Sequence, residues 1–175
     1  ANPVLSIRKE GNTPAWGAVY EQYFQEIDKV KGQKGVLSVE KKLFVETNNG
    51  TNRQIRPVTP EQPLRIGDKV IVRLTIRTDR EMNYVFLKDL RAGCFEPADQ
   101  LSGTESRDSI WYYRSPKDVS ENFFINRLPE GTFVLGYPVY VSRSGEYAGG
   151  ISTIQCMYAP EFVSHTAGES LRIMP

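Results

Sequence analysis

The chain has 175 residues and a mass of 19.8 kDa, enough for one domain with its own core, or for one domain and a fragment of a second. Its 22 Lys and Arg residues against 21 Asp and Glu residues give a formal charge of +1, which removes the electrostatic case for binding nucleic acid or an anionic membrane. With 39% hydrophobic and 25% charged residues, the composition is that of a globular domain, and no apolar run reaches the roughly 18 residues of a membrane span.

The first 35 residues fit two predictions. From Trp16 onwards the apolar residues match both the spacing of a helix and the alternation of a strand. A strand over Val4–Ile7, a turn, and a second strand ending near Phe24 would form a short β-hairpin. The stretch 29–35 is charged and contains two glycines, as linkers do, so we place a boundary near Gly35.

Short strands separated by turn residues account for most of the remaining chain. The clearest is Lys69–Arg77, where Val70 and every second residue after it is apolar and the residues between are mostly charged, as in a strand with one buried face. Further strands are predicted at 37–45, 84–88, 110–113, 122–125 and 133–141. Turns containing glycine or asparagine separate nearly all of them, and this spacing predicts an all-β, antiparallel β-sandwich.

The last third of the chain carries the strongest strand pattern. Residues 128–161 predict two strands and the turn between them, because alternate residues from Phe133 to Val141 are apolar. Pro138 interrupts the first of these strands. Since proline has no N–H to donate, we expect an edge strand or a local bulge at that position.

No set of residues typical of an active site or metal site is present in the sequence. The single histidine, His165, has no nucleophile in a G-x-S-x-G elbow to activate, and a position in a surface loop is the simpler expectation. The sequence also lacks H-E-x-x-H, C-x-x-C and a phosphate-binding loop. We therefore predict a chain without catalytic residues, cofactor or bound metal.

Two features leave alternatives open. Cys94 and Cys156 lie 62 residues apart, and they are either two buried thiols or the halves of one disulfide. Aromatic residues are concentrated at 111–113 and 123–124, where they form either a core layer or a binding face for carbohydrate or protein. The second reading of the aromatic residues would make the chain a binding module of a secreted or surface protein rather than a structural domain.

Several short stretches resemble one protein family in their order and spacing. They are Asp79–Met82, Leu87–Ala92, Phe95–Pro97, Leu101–Gly103, Leu128–Thr132 and Cys156–Phe162. Together they resemble the C-terminal region of bacterial alpha-2-macroglobulins, most closely those of Bacteroides-like bacteria, over roughly residues 37–173. The stretch 16–20 resembles the segment that precedes that region.

The resemblance implies an immunoglobulin-like macroglobulin domain over residues 36–175. It implies that residues 1–35 are the C-terminal strands of an incomplete CUB-like domain, which favours the hairpin over the helix. It also implies that the parent protein is a periplasmic or cell-envelope protease inhibitor without enzymatic activity. In such a protein, this domain would pack on the thioester domain and the CUB-like domain, and target proteases would be partners of the parent.

The family's reactive thioester is implied to lie elsewhere in the parent. The thioester sequence is C-x-E-Q, and the nearest approach here, beginning at Cys94, has Pro97 in place of the glutamine. What the resemblance leaves to this domain is to shield the thioester from water with an aromatic side chain. Tyr158, beside Met157, is the first candidate, and Tyr147 is the second.

Overall fold

The computed structural model describes residues 6–17, 19, 23–49 and 52–175. The described residues form one 3-10 turn, Ile27–Lys29, and fourteen β-strands. In chain order the strands are β1 (Leu37–Asn49), β2 (Asn52–Pro57), β3 (Leu64–Arg65), β4 (Lys69–Thr78), β5 (Met82–Leu90), β6 (Phe95–Pro97), β7 (Gly103–Arg107), β8 (Ile110–Pro116), β9 (Ser120–Leu128), β10 (Gly131–Val141), β11 (Gly145–Ala148), β12 (Ser152–Cys156), β13 (Ala159–His165) and β14 (Ser170–Met174). The fold is thus all-β, as the sequence predicts.

Two large antiparallel sheets face each other, and a small third sheet flanks them. The five-stranded sheet has the order β2-β1-β4-β10-β6, and the six-stranded sheet has the order β13-β12-β5-β9-β8-β7. The small sheet has the order β11-β14-β3, in which the β3–β14 pair is parallel. This is the antiparallel sandwich that the alternation predicts, in the immunoglobulin-like form that the resemblance implies.

The core lies between the two large sheets. Along β4 every second side chain from Val70 to Ile76 is buried, and β10 buries Phe133, Leu135, Tyr137, Val139 and Val141 in the same way. The six-stranded sheet contributes Val85, Leu87, Phe123, Ile125 and Ile154 from its inner face. Each side chain of this size stabilises the fold by about 1.5–3 kcal/mol relative to exposure, so the packing of the two sheets is the main stabilising term.

The predicted N-terminal hairpin lies only partly within the described residues, so it stays a prediction. Residues 6–17 form no strand, and Trp16 is 95% exposed and contacts no core residue. An isolated two-stranded hairpin is marginal in water, and no part of the sandwich pairs with this stretch. The remaining hairpin positions, residues 1–5, 18 and 20–22, lie outside the described residues.

The predicted linker is attached to the sandwich rather than free. Gln33 forms a bridge with His165 at the edge of the six-stranded sheet, with N–H···O distances of 2.9 and 3.0 Å in the two directions. The N–H of Gly168 donates to the carbonyl oxygen of Val30 at 2.8 Å. A Cβ at Gly168 would overlap the backbone of Ile27, so only glycine permits this approach. We call residues 27–33 the docked segment.

The last third contains more strands than predicted. Between β10 and residue 161 the chain forms β11 and β12 and begins β13, where the sequence predicts one further strand. Pro138 lies in an interior strand, but its carbonyl oxygen faces Ala98, just beyond the short strand β6. Its missing N–H therefore points to a place where β10 has no partner strand, which is why proline is tolerated there.

Candidate functional site

The turn between β12 and β13 presents the first candidate side chain to solvent. Tyr158 is 81% exposed and Met157 is 54% exposed, although both belong to a tight turn beside well-packed strands. The Tyr158 ring meets the Tyr84 ring edge-on, with centroids 5.2 Å apart and an interplanar angle of 79°. The N–H of Met157 donates to the carbonyl oxygen of Tyr84 at 2.9 Å. The turn is thus held in place while its two largest side chains stay available for contact.

Tyr84 has a strained backbone. Its φ is 56°, in the left-handed region that bulky residues rarely adopt, at a cost of order 1–3 kcal/mol. The alternation of β5 changes phase there, so that Asn83 and Tyr84 are both exposed while Met82 and Val85 are both buried. Tyr84 shares the outward side of β5 with Phe86, as alternation from Val85 onwards predicts, and there its ring meets that of Tyr158. The unexpected feature is its backbone conformation, for which the strand pattern holds no signal.

The second candidate, Tyr147, lies in a different environment. It is on β11, is partly buried against the core, and packs its ring beside Gly93 and Gly145. Its hydroxyl donates to the carbonyl oxygen of Ser144 at 3.0 Å. These contacts give Tyr147 a packing role in the small sheet, and the structure does not bring it together with Tyr158 in one contact.

Both cysteines are free and buried, so the disulfide alternative is not formed and the thiol alternative describes the structure. Cys94 precedes β6 of the five-stranded sheet, and Cys156 ends β12 of the six-stranded sheet. Burial raises the pKa of the Cys94 thiol to about 11, which keeps it protonated and unreactive near neutral pH. The Cys156 thiol donates to the carbonyl oxygen of Asn83 at 3.3 Å, beside the strained Tyr84.

A buried polar network joins the two sheets. The Asp89 carboxylate accepts from Lys41 Nζ at 2.8 Å, from the Tyr137 hydroxyl at 2.5 Å and from the Ser152 hydroxyl at 2.7 Å. Lys41 and Tyr137 belong to the five-stranded sheet, whereas Asp89 and Ser152 belong to the six-stranded sheet. Burial and the adjacent Asp89 charge raise the pKa of Tyr137 far above its ordinary value, so its phenol stays a donor. We call these four residues the sheet-bridging network.

A second ion cluster extends the network within the six-stranded sheet. Glu121 accepts from Arg114 Nε at 2.7 Å and from Arg91 Nη1 at 3.0 Å, and all three side chains are buried. Such a cluster is also seen in active sites, but these three residues line neither of the two grooves along β1, although Arg91 Nε and Arg114 Nη2 are left without a hydrogen-bond partner among the described residues. Its arrangement therefore indicates a structural role.

Among the described residues, no group of three His, Cys, Asp or Glu side chains is close enough to hold a metal ion. Nor does that part of the chain contain a helix long and apolar enough to cross a membrane. The two main grooves are open and lie along β1, one near the docked segment and the other lined by Leu43, Val58, Leu64 and Leu171. The larger has a volume of about 940 Å³ and a mixed lining, in which Lys42, Glu169 and Arg172 join the apolar side chains without forming a catalytic set.

The aromatic residues that the sequence analysis left open divide between core and surface. Tyr112 and Phe123 are buried, as a core layer requires. Trp111, Tyr113 and Phe124 point to the outer face of the six-stranded sheet and are 67%, 46% and 39% exposed. The aromatic residues therefore divide between a core layer and an exposed surface, because neighbouring residues of a strand face opposite sides, and binding by that surface stays a prediction.

Residues 37–161 match the family described as the bacterial alpha-2-macroglobulin MG10 domain, and they make up more than half of the chain. The chain belongs to the bacterial alpha-2-macroglobulin family. Solved structures agree with the fold. Salmonella alpha-2-macroglobulin reacted with methylamine superposes with a TM-score of 0.66 at 24% identity over 83% of this chain. Native Escherichia coli alpha-2-macroglobulin, from domain MG7 to the C-terminus, does so with a TM-score of 0.65 at 18% identity over 82%.

This macroglobulin domain spans a small part of its relatives. It covers 10% of the Salmonella chain, 24% of that Escherichia coli chain and 14% of the Escherichia coli protein activated by porcine elastase, which superposes with a TM-score of 0.64 at 18% identity over 83% of this chain. A curated relative, the circularly permutated Ras protein 2 of Dictyostelium discoideum, is 29% identical over 113 residues, or 62% of this chain and 3% of that protein. In these relatives the matching region is one part of a much longer chain.

Proposed function

We propose that this chain is a non-catalytic domain of a longer bacterial alpha-2-macroglobulin-like protease inhibitor located in the periplasm or cell envelope. In this proposal residues 36–175 are the C-terminal macroglobulin domain and residues 1–35 are the end of a CUB-like domain. The family match over 37–161 is the observation that carries it. The elastase-activated Escherichia coli relative supports a role in meeting proteases.

The β12–β13 turn is the part of the domain that we assign to shielding a thioester in the parent. Tyr158 is exposed at the tip, and it is held there by Tyr84 and by the Met157 backbone rather than by the core. A rigidly presented aromatic ring excludes water from a surface that it covers. The methylamine-treated Salmonella relative supports the presence of an amine-reactive group in this family. Tyr147 is the weaker candidate, since it is committed to packing in the small sheet.

The test is the rate at which methylamine releases a thiol from the longer protein that contains this chain. We expect Tyr158→Ala to raise that rate roughly tenfold, equivalent to about 1.4 kcal/mol of lost protection, and Tyr158→Phe to leave it near wild type. Tyr147→Ala serves as the matched control. A faster thiol release with Tyr147→Ala but not with Tyr158→Ala would assign the shielding role to Tyr147. Unchanged rates in both variants would overturn shielding by this domain.

Capture of a protease tests the wider proposal separately. The longer protein is incubated with elastase, and protease activity towards a large protein substrate is compared with activity towards a small peptide. We expect loss of activity only towards the large substrate, because a trapped protease is still reached by small molecules. Equal activity towards both substrates, with the inhibitor present in excess, would contradict a protease trap.

A further inference from the structure

The outer face of the six-stranded sheet carries an uncharged row that crosses all six strands. The register aligns, from one edge to the other, Val163, Gln155, Phe86, Phe124, Tyr113 and Thr104. Trp111 stands two residues along β8 from Tyr113, on the same face. None of these seven side chains is charged, in a chain with 25% charged residues. We call them the aromatic face.

We propose that the aromatic face is a docking surface for an apolar surface of a neighbouring domain in the same longer chain. This rests on the proposed function only in placing the chain within a longer protein, and it does not require a thioester. The solved relatives supply that setting, since the matching region is 10% of the Salmonella chain and 24% of an Escherichia coli chain.

The absence of charge selects the chemistry of the occupant. Lys88 flanks the row on β5, but over the seven residues themselves a charged partner surface would lose its hydration without gaining a counter-charge, which is unfavourable. An apolar partner loses no such hydration. Trp111 and Tyr113 are residue types that are enriched at the centres of protein interfaces.

The packing of the rings favours a protein over a glycan. Phe86 and Phe124 stack on each other, with centroids 4.9 Å apart and an interplanar angle of 27°. Their faces are thus already covered, whereas a sugar ring binds by lying on an open aromatic face. Tyr113 is tilted against Phe124, with centroids 6.4 Å apart and an interplanar angle of 47°, so these three rings form no flat platform.

The size of the face favours a tethered domain over a second copy. At 150–250 Å² per aromatic side chain, the exposed fractions of Trp111, Tyr113 and Phe124 amount to roughly 230–380 Å². A free dimer needs about 800 Å² from each partner, whereas interfaces between domains of one chain are often smaller. Tethering raises the effective concentration of the partner, so a small face is sufficient.

The position of the face agrees with the shielding turn. Tyr84, which holds Tyr158, lies on the same strand as Phe86, two residues away, and is also exposed. One partner surface laid over the aromatic face would therefore reach the turn. The two contacts can nevertheless be separated experimentally, because different residues carry them.

Thiol labelling in the short and long proteins tests the inference. Thr104→Cys and Gln155→Cys place a reactive thiol at either side of the aromatic residues, and the wild-type chain gives the background because its own thiols are buried. We expect each thiol to react with a maleimide at least about tenfold more slowly in the longer protein than in the 175-residue chain. Thr132→Cys, on the five-stranded sheet, is the matched control for general accessibility. Equal rates in both proteins at both positions would overturn the inference.

A second variant shows whether the aromatic residues cause the protection. Trp111→Ser combined with Tyr113→Ser should restore fast labelling at Thr104→Cys in the longer protein, without changing the methylamine rate set by Tyr158. Protection that survives the double substitution contradicts a role for the aromatic face. Dimerisation of the 175-residue chain that Phe124→Ser abolishes, or glycan binding that Trp111→Ala abolishes, would assign the face to a different partner and overturn the inference.

Discussion

Cys94 shows how burial controls the chemistry of one side chain in this domain. Its thiol is fully buried, and its pKa is raised to about 11 from an ordinary value of 9.0. The folded state therefore holds the proton more tightly than the unfolded state. Below about pH 9 both states are protonated and the thiol has no effect on stability; between about pH 9 and about pH 11 only the unfolded state ionises, so the free energy of unfolding falls.

We expect Cys94→Ala to reduce this alkaline loss of stability. The difference in free energy of unfolding between pH 8 and pH 11 should be smaller in the variant by about 2–3 kcal/mol, which corresponds to the shift in the pKa. Urea unfolding at several pH values measures it. Tyr112, whose pKa is raised to about 12 mainly by burial, affects the pH dependence of the free energy of unfolding equally in both proteins. Parallel pH profiles for the two proteins would contradict the assignment.

At the scale of elements, the docked segment converts an expected linker into part of the fold. The sequence 29–35 is charged and rich in glycine, and these properties predict flexibility when no partner is considered. The structure shows the reason for the difference. Gly32 permits close contact, since a Cβ there would lie 2.9 Å from the backbone nitrogen of Ala167, and Gly168 permits it from the other side. Glycines occur both in flexible linkers and in segments that pack closely against a sheet, so their presence in 29–35 does not tell which of the two the segment is.

Gly168→Ala is expected to release the docked segment. The added Cβ would overlap the Ile27 backbone, so the segment must move away and lose its hydrogen bonds to Gly168 and His165. Trypsin should then cut after Lys31 and Lys34 several-fold faster, because cleavage follows the population of the open segment. Mass spectrometry of the fragments measures this. Gly103→Ala, where nothing lies within 4 Å of the new Cβ, is the control and should leave the cleavage rate unchanged.

At the scale of the whole molecule, the sheet-bridging network fixes how the two sheets face each other. Lys41 and Asp89 form their ion pair across the core. Lys41 also donates to the carbonyl oxygen of Leu90, and Asp89 also accepts from Ser152. We expect Lys41→Met or Asp89→Asn alone to destabilise the fold by about 3–5 kcal/mol, because a buried partner is left uncompensated.

The double variant should cost clearly less than the sum of the two single variants. Chemical unfolding of all four proteins gives this coupling as a double-mutant cycle. Lys42→Met, next in sequence and exposed, is the matched control and should change stability by no more than about 0.5 kcal/mol. Simple additivity of the two substitutions would show that the ion pair does not couple the sheets.

Strand pattern and turn chemistry predicted the sandwich because alternation reports directly which face of a strand is buried. The same alternation also indicates the sheet-bridging network, since Lys41 and Asp89 are charged residues at inward-facing positions of β1 and β5. A charged residue at such a position predicts a buried ion pair, although not its partner. The N-terminal hairpin stays a prediction because much of it lies outside the described residues, and alternation alone does not supply a sheet for it to join. The left-handed backbone of Tyr84 was not predictable, because tyrosine rarely adopts that φ and the strand pattern shows only which face a side chain is on.

The left-handed backbone of Tyr84 has a consequence for protein engineering. Glycine or asparagine adopts this conformation at lower cost, so a selection of the isolated chain for thermal stability should favour replacing the tyrosine. Such a selection would discard the ring that holds Tyr158 at the β12–β13 turn. Variants improved in this way would be better folded and, in the longer protein, worse at presenting that turn. Stability of the single domain is therefore the wrong criterion for choosing variants with which to study a longer protein that contains it.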